Sequence, residues 1–192
     1  MSTDEILEVV DKNNIFIKTG KRSFIHRKGL FHRTANVFVI NPKGEIFIQQ
    51  RSNKKTICPL YWDLSVAEHL KIGESYLQAC FRGLKEELGI VANIIIIRSV
   101  HLQKNSYFKN KIKDFEFAKL YLGFYDKKIL INKKEIKNGK FISIKDLDKK
   151  IKRGNNLFTP WFLNEWQFLK RKIGFKAFKN LRANLKDFNH KN

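Results

Sequence analysis

Cysteine is scarce in this chain: only Cys58 and Cys80 occur among 192 residues. Two thiols cannot build a disulfide framework. Cys80 also falls on the expected buried face of a helix, so pairing is not expected and a reducing, cytoplasmic setting fits. Long apolar runs are missing as well. No stretch approaches the roughly 20 residues that span a bilayer, so no membrane partner is expected. The opening MSTDEILEVV starts acidic and lacks a basic segment followed by a long apolar one, so no secretory leader is expected. There is no internal repeat, low-complexity tract or clear linker. Acidic residues are also short in number, with 18 Asp and Glu against 39 Lys and Arg, a net charge of +21.

That charge points toward polyanionic partners, and it keeps nucleic acid as one partner class. A second explanation competes with it. Thirty of the 39 basic residues are Lys, and Asn and Ile are abundant, as AT-rich coding produces without selection for binding. The length fits one domain with a full core, and 43% hydrophobic and 13% aromatic residues are enough to fold it.

Along the chain, residues 5–19 read as two short strands about a turn at Asp11–Asn14. Lys21 to Lys28 reads as a short helix ending at Gly29. HRTANVFVIN (32–41), the turn Pro42-Lys43-Gly44 and Glu45 to Gln50 form a hairpin. Arg51 to Lys55 is a polar basic loop whose Arg51 and Lys54 are candidate donors to substrate phosphates. Trp62 is a candidate core or pocket-wall residue. Val91 to Val100 is apolar and β-branched enough for a buried strand. Ser106 to Lys113 reads as a polar turn, and Phe115 to Tyr125 returns as a strand. Lys127 to Gly139 is a basic connection with a short strand at Ile129–Ile131. A helix follows from Ser143 to Gly154, another starts at Thr159-Pro160 with Trp161, Phe162, Trp166 and Leu169 as its buried stripe, and Phe175 to Phe188 reads as a basic amphipathic helix. The expected class is α+β with a helical C-terminal extension, divided as residues 1–165 and 166–192.

The most informative stretch is EHLKIGESYLQACFRGLKEELGI, residues 68–90. A loop turning at Gly73 feeds a helix of about four turns. Leu77, Cys80, Leu84 and Leu88 recur at the spacing of one buried face. Ser75 suits the N-cap, Glu74 the positive end and Gly89 the left-handed exit. Glu86 and Glu87 crowd negative charge beside Arg82, and a bound cation is a natural reason to keep such acids together. A solvated amphipathic helix with an Arg82–Glu86 pair is the plainer reading.

This stretch resembles the Nudix hydrolase signature, G-x5-E-x7-R-E-U-x-E-E-x-G-U with U aliphatic. Glu74, Arg82, Leu84, Glu86, Glu87, Gly89 and Ile90 match it, seven of nine defined positions. Glu68 stands where the signature has Gly, and Gly83 where it has Glu. GLFHRTANVFVINPKGEIFIQQRS, YWDLSVAEHLKIGESY and FTPW further resemble a Nudix subgroup close to type 1 isopentenyl-diphosphate isomerases. The resemblance spans residues 5–165 and implies a mixed sheet between helices.

It also implies chemistry. Glu86 and Glu87 would hold Mg²⁺ or Mn²⁺ bridging a small-molecule diphosphate, with Arg82 orienting them and Glu74 anchoring the loop. Gly83 removes an acid that is a principal metal ligand in the family, and glycine costs roughly 1 kcal/mol in a helix interior. Glu68 either replaces that carboxylate or marks relaxed constraint. The isomerase comparison implies a second metal group, with His32, His69 and Glu116 at matching places, Asp114 nearby and His26 approximately placed. The isomerase cysteine, two residues before His69, is Ala67 here. The expected function is therefore metal-dependent hydrolysis of a nucleoside or other organic diphosphate. The alternatives are a non-catalytic ligand- or RNA-binding protein and an isomerase-like enzyme.

Overall fold

The computed structural model describes residues 4–107, 112–154 and 157–172. Two short strands open the chain, β1 (Ile6–Val10) and β2 (Phe16–Lys21), joined at a turn where the Asp11 carboxylate accepts from the Asn13 and Ile15 amides. Helix α1 (Arg22–Lys28) follows and ends on Gly29 at φ 66°, a left-handed conformation that a glycine adopts without strain. Then come β3 (Phe31–Ile40), β4 (Ile46–Arg51), β5 (Trp62–Asp63) and β6 (Val66–His69). Helix α2 (Tyr76–Leu88) is the acidic helix expected from the sequence. The chain continues through β7 (Asn93–Tyr107), β8 (Ile112–Phe124), β9 (Ile136–Ile142) and α3 (Ile144–Arg153). A last described helix, α4, covers residues 160–172.

Strand β3 organises the sheet. One edge pairs in parallel with β8 from Phe31↔Phe115 to Ile40↔Phe124. A strand has two edges, so the other is shared in turn by β1 at Phe31, β6 at Thr34 to Val37 and β4 at Val39 and Ile40. Where β6 and β4 diverge, the Ser65 hydroxyl accepts from Val39 N–H at 2.7 Å and donates to the Phe47 carbonyl. The sheet is thus mixed, as expected.

Side chains alternate across a strand, and β3 uses both faces. Ala35, Val37 and Val39 join Tyr121 against Cys80, Leu84 and Leu88 of α2. Phe38 and Ile40 join Leu120 and Leu122 against Phe158, Phe162, Trp166 and Leu169 at and within α4. The sheet is therefore covered on both sides. Helix α4 runs through residue 165, and Trp166 and Leu169 are buried in the same core as Phe162.

Several expectations need correction. Leu77 is 47% exposed although it lies on the helix's apolar stripe. Helical side chains lean toward the N-terminus, so at the second position Leu77 leans past the packed segment. The segment from Val91 to Val100 does not form a buried strand. β7 starts at Asn93, pairs only with β8 among the described strands, and leaves Ile96 58% exposed at a sheet edge. Ser106 and Lys113, assigned to a turn, sit in β7 and β8 and pair with each other. No strand forms at Ile129–Ile131. The strand in that region is β9, which pairs with β4 from Ile46↔Ile142 to Arg51↔Ile136. Arg51 closes β4 and is buried, so it is no loop residue. The helix expected at Phe175 to Phe188 lies outside the described residues. Among the described residues no helix is long and apolar enough to cross a membrane.

Candidate active site

A cleft of about 1440 Å³ opens along the free edge of β6. This four-residue strand matters because alternation sends its neighbours opposite ways. Val66 and Glu68 face α2, whereas Ala67 and His69 face the side that carries α4. Two groups of polar side chains consequently border one opening.

The first group is built on α2. Ser75 caps the helix in a capping box, its hydroxyl accepting from Gln78 N–H while the Gln78 side chain accepts from Ser75 N–H. Arg82 is the hub of the loop before it. Its Nε and Nη2 donate to the two Glu74 oxygens at 2.8 and 2.9 Å, and Nη2 also donates to the His69 carbonyl at 2.7 Å. Nη1 binds Glu68 and approaches Glu86 at 3.5 Å. Glu74 also accepts from Lys71 N–H at 2.8 Å, so Glu74 and Arg82 hold the loop and Arg82 positions two further carboxylates. Glu86 is half exposed, whereas Glu87 is buried and accepts from the Gln49 amide at 2.8 Å. Burial, reinforced by the nearby Glu68 carboxylate, pushes Glu87 up to about 8. Burial also raises Glu68, against the pull of Arg82.

The second group is imidazole-rich and nearly solvent-free. Register places it: His32 on β3 is opposite Glu116 on β8, and Thr34, two residues along β3, is opposite His69 on β6. Asp114 lies two residues before Glu116 on the same face, and α1 adds His26. One ligand atom from each of His26, His32, His69 and Asp114 lies within 4.8 Å of the others. His32 Nε2 is 3.3 Å from His26 Nε2, 3.4 Å from Asp114 Oδ1 and 3.7 Å from Glu116 Oε1, and His69 Nε2 is 3.5 Å from Glu116 Oε1. Burial lowers His26 to about 4 and His69 well below its ordinary value, so both rings are neutral near pH 7. His32 Nδ1 lies 3.2 Å from the Leu30 carbonyl, which can only accept. The ring proton therefore sits on Nδ1, and the Nε2 lone pair faces the cluster. Glu5 plays the same part at His69 Nδ1, at 3.4 Å. Burial and the Asp114 charge push Glu116 well above the carboxylate range.

This donor set fits a metal ion. Imidazole nitrogens and carboxylate oxygens converge, and Asp114 Oδ1 is buried without a hydrogen-bond partner among the described residues. His32, His69 and Glu116 come together as expected, and the structure adds His26 and Asp114 as full members. At α2, Glu86 and Glu87 border the cleft with Glu68 and Arg82.

The residues expected at substrate divide. Lys54 and Glu68 line the cleft, and the Lys54 ammonium has no carboxylate partner among the described residues. Arg51 also lines it, but its guanidinium is committed. Nη1 donates to Asp63 at 2.8 Å and Nε to the Ile57 carbonyl at 3.1 Å. Trp62 lies away from the cleft lining, its ring beneath the Lys140 and Lys150 ammonium groups. Trp161 lines the cleft instead, its indole N–H donating to Asp63 at 2.6 Å. Sequence reasoning missed Gln49, Glu5 and Asp63, which act through partners remote in the chain. His101, likewise, faces the buried Glu165 at 2.8 Å.

The NUDIX domain family model matches residues 30–162. The chain is 35% identical over 167 residues to isopentenyl-diphosphate Delta-isomerase 1 of Photorhabdus laumondii, covering 84% of this chain and 93% of that protein. It is 41% identical over 92 residues to a Nudix hydrolase of Nostoc sp., covering 47% of this chain and 54% of that protein. Its fold is similar to the crystal structure of DR0079 from Deinococcus radiodurans, with TM-score 0.62 and 24% identity over 78% of this chain and 90% of that one.

Proposed function

The chain belongs to the Nudix family, and on that premise we propose that it is a metal-dependent hydrolase cleaving a diphosphate linkage in a nucleoside or other organic diphosphate. The observation that carries this reading is the meeting, in one cleft, of the α2 carboxylates, the buried imidazole–carboxylate group and the Lys54 ammonium, which has no carboxylate partner among the described residues. In this reading Glu86 and Glu87 are the helix residues that hold Mg²⁺ or Mn²⁺. In the same reading His26, His32, His69, Asp114 and Glu116 hold a second ion, for which imidazole favours Zn²⁺ or Mn²⁺. A bound divalent ion supplies charge neutralisation at phosphate oxygens and a water of lowered pKa. The protein's own contribution is positional. Arg82 and Glu74 fix the loop, Gln49 orients Glu87, and Lys54 offers its ammonium to phosphate oxygens.

The test is phosphate or monophosphate release from a panel of nucleoside and other organic diphosphates with Mg²⁺ or Mn²⁺. Turnover that disappears with chelator, and that falls on the order of 100-fold in Glu87→Gln, is the expected result. Absence of turnover across the panel with either ion, or turnover indifferent to chelator, refutes the reading.

A second reading has specific support. Relatives that align with most of the chain include isopentenyl-diphosphate isomerases, and the imidazole–carboxylate cluster suits that comparison. Against it, Ala67 puts a methyl group on the cleft wall where the isomerase comparison expects a thiol, and so removes one of two acid–base groups. Incubation with isopentenyl diphosphate separates the readings: appearance of the dimethylallyl isomer selects the isomerase, and release of phosphate without isomer selects the hydrolase.

A further inference from the structure

The two departures from the Nudix signature, Glu68 for Gly and Gly83 for Glu, are 15 residues apart in sequence and in contact in the fold. A Cβ added at Gly83 would fall 2.6 Å from Glu68 Cγ and 2.4 Å from Val66 Cγ1. Neither distance is tolerable, so a side chain at position 83 requires the Val66 and Glu68 side chains to move. The space that a residue at 83 would occupy is filled by the Glu68 and Val66 side chains. The exchange is reciprocal: the acid sits on the strand and the glycine on the helix facing it.

We propose that Glu68 supplies the metal-binding carboxylate that α2 lacks at position 83, and that it acts with Glu87 on the cation of the proposed hydrolase. Strand alternation aims Glu68 at α2 rather than at the imidazole cluster, so its carboxylate reaches the cleft beside Glu86 and Glu87. Arg82 engages Glu68 Oε2, and no hydrogen bond reaches Oε1 among the described residues. Glu87 is 4% exposed, carries one hydrogen bond from Gln49 and has no cationic partner among the described residues. A buried carboxylate without a counter-charge is costly, and a dication held between Glu68 and Glu87 removes that cost. The all-oxygen donor set suits Mg²⁺ and Mn²⁺. Glycine at 83 then has a positive reason: it opens the groove through which the strand residue reaches the metal.

This inference rests on the metal-dependent hydrolase reading, and its test separates the two. The full chain is loaded with one equivalent of Zn²⁺ to occupy the imidazole cluster, then titrated with Mn²⁺ while free Mn²⁺ is followed by electron paramagnetic resonance. The wild type binds Mn²⁺ beyond the zinc, and Glu68→Gln binds it at least about tenfold more weakly. Gly83→Glu alone lowers the melting temperature. With Val66→Ala added to clear the remaining close contact, the exchange Glu68→Gly/Gly83→Glu restores both melting and Mn²⁺ affinity relative to the single variants, whereas the same variant with Gly83→Gln folds but stays weak, which separates a ligand from a spacer. Unchanged Mn²⁺ affinity in Glu68→Gln overturns the inference and leaves the hydrolase reading standing. Absence of Mn²⁺ binding in the wild type overturns both. Should the exchange variant not fold, the Glu68→Gln affinity decides alone.

Discussion

Removal of the Asp63 carboxylate should cost this protein a large share of its stability. Asp63 is fully buried, and each of its oxygens is used. Oδ2 accepts from Arg51 Nη1 at 2.8 Å, while Oδ1 accepts from Leu64 N–H at 2.8 Å, Thr159 Oγ1 at 2.9 Å and Trp161 Nε1 at 2.6 Å. Asp63→Ala therefore leaves a buried guanidinium, an indole N–H, a hydroxyl and an amide without their acceptor. Breaking a buried ion pair from one side costs about 3–5 kcal/mol. The orphaned neutral donors belong to the same network, so their costs are not simply added. For a chain of this length each kcal/mol moves the melting temperature by about 2–4 °C, which gives a fall of about 6–20 °C. Asp63→Asn keeps one acceptor oxygen and should fall between the two. The assay is urea unfolding with an unchanged m-value, supported by thermal melting. A loss below about 1 kcal/mol for Asp63→Ala, the level of an ordinary surface pair, refutes the claim that this network fastens α4 to the sheet.

Three further outcomes are expected. Zn²⁺ at 100 times its dissociation constant should stabilise the fold by about 2.7 kcal/mol, read as a rise in melting temperature that His32→Ala abolishes. Glu165→Leu should cost about 2 kcal/mol by urea unfolding, because the Gln103 amide at 2.6 Å and Arg98 at 3.2 Å lose a buried acceptor. Ser75→Ala should cost about 1 kcal/mol through the lost cap, and Ser75→Asp should retain most of it.

Features closed by near neighbours in the chain were legible in the sequence. Ser75, Gly89, Gly29 and Ser143 are read correctly because a helix end is satisfied within a few residues. The Nudix helix and the alternation of β3 belong to the same class of local signal. What escaped depends on partners distant in sequence. Asp63 meets Trp161 across 98 positions, and Asn36 meets Glu165 across 129. Strand β9 is basic and half exposed, and it exists because β4 offers it an edge. The imidazole group lay between these extremes. His32, His69 and Glu116 could be named by resemblance, but the inclusion of His26 and Asp114 follows from the parallel register of β3 and β8 and the position of α1. The placing of Arg51 in a polar loop failed for a different reason. Basic side chains near a hairpin end are usually solvated, and nothing local announces a buried aspartate 12 residues on.

Strand β3 carries His32, Thr34, Asn36, Phe38 and Ile40 on one face, passing from polar to apolar along its length. The same ten residues thus serve as a ruler for two trades. At one end they gauge where the clustered imidazole sits, and at the other they gauge how deep the aromatic layer lies. A slip of one residue would turn every one of these side chains to the opposite face at once. Chemistry and solidity are therefore indexed to a single frame. An insertion that moved His32 out of its cluster would also withdraw Phe38 from Phe162 and Trp166. Drift in this strand cannot spoil the site quietly in a protein that still folds: it announces itself first as a failure to fold.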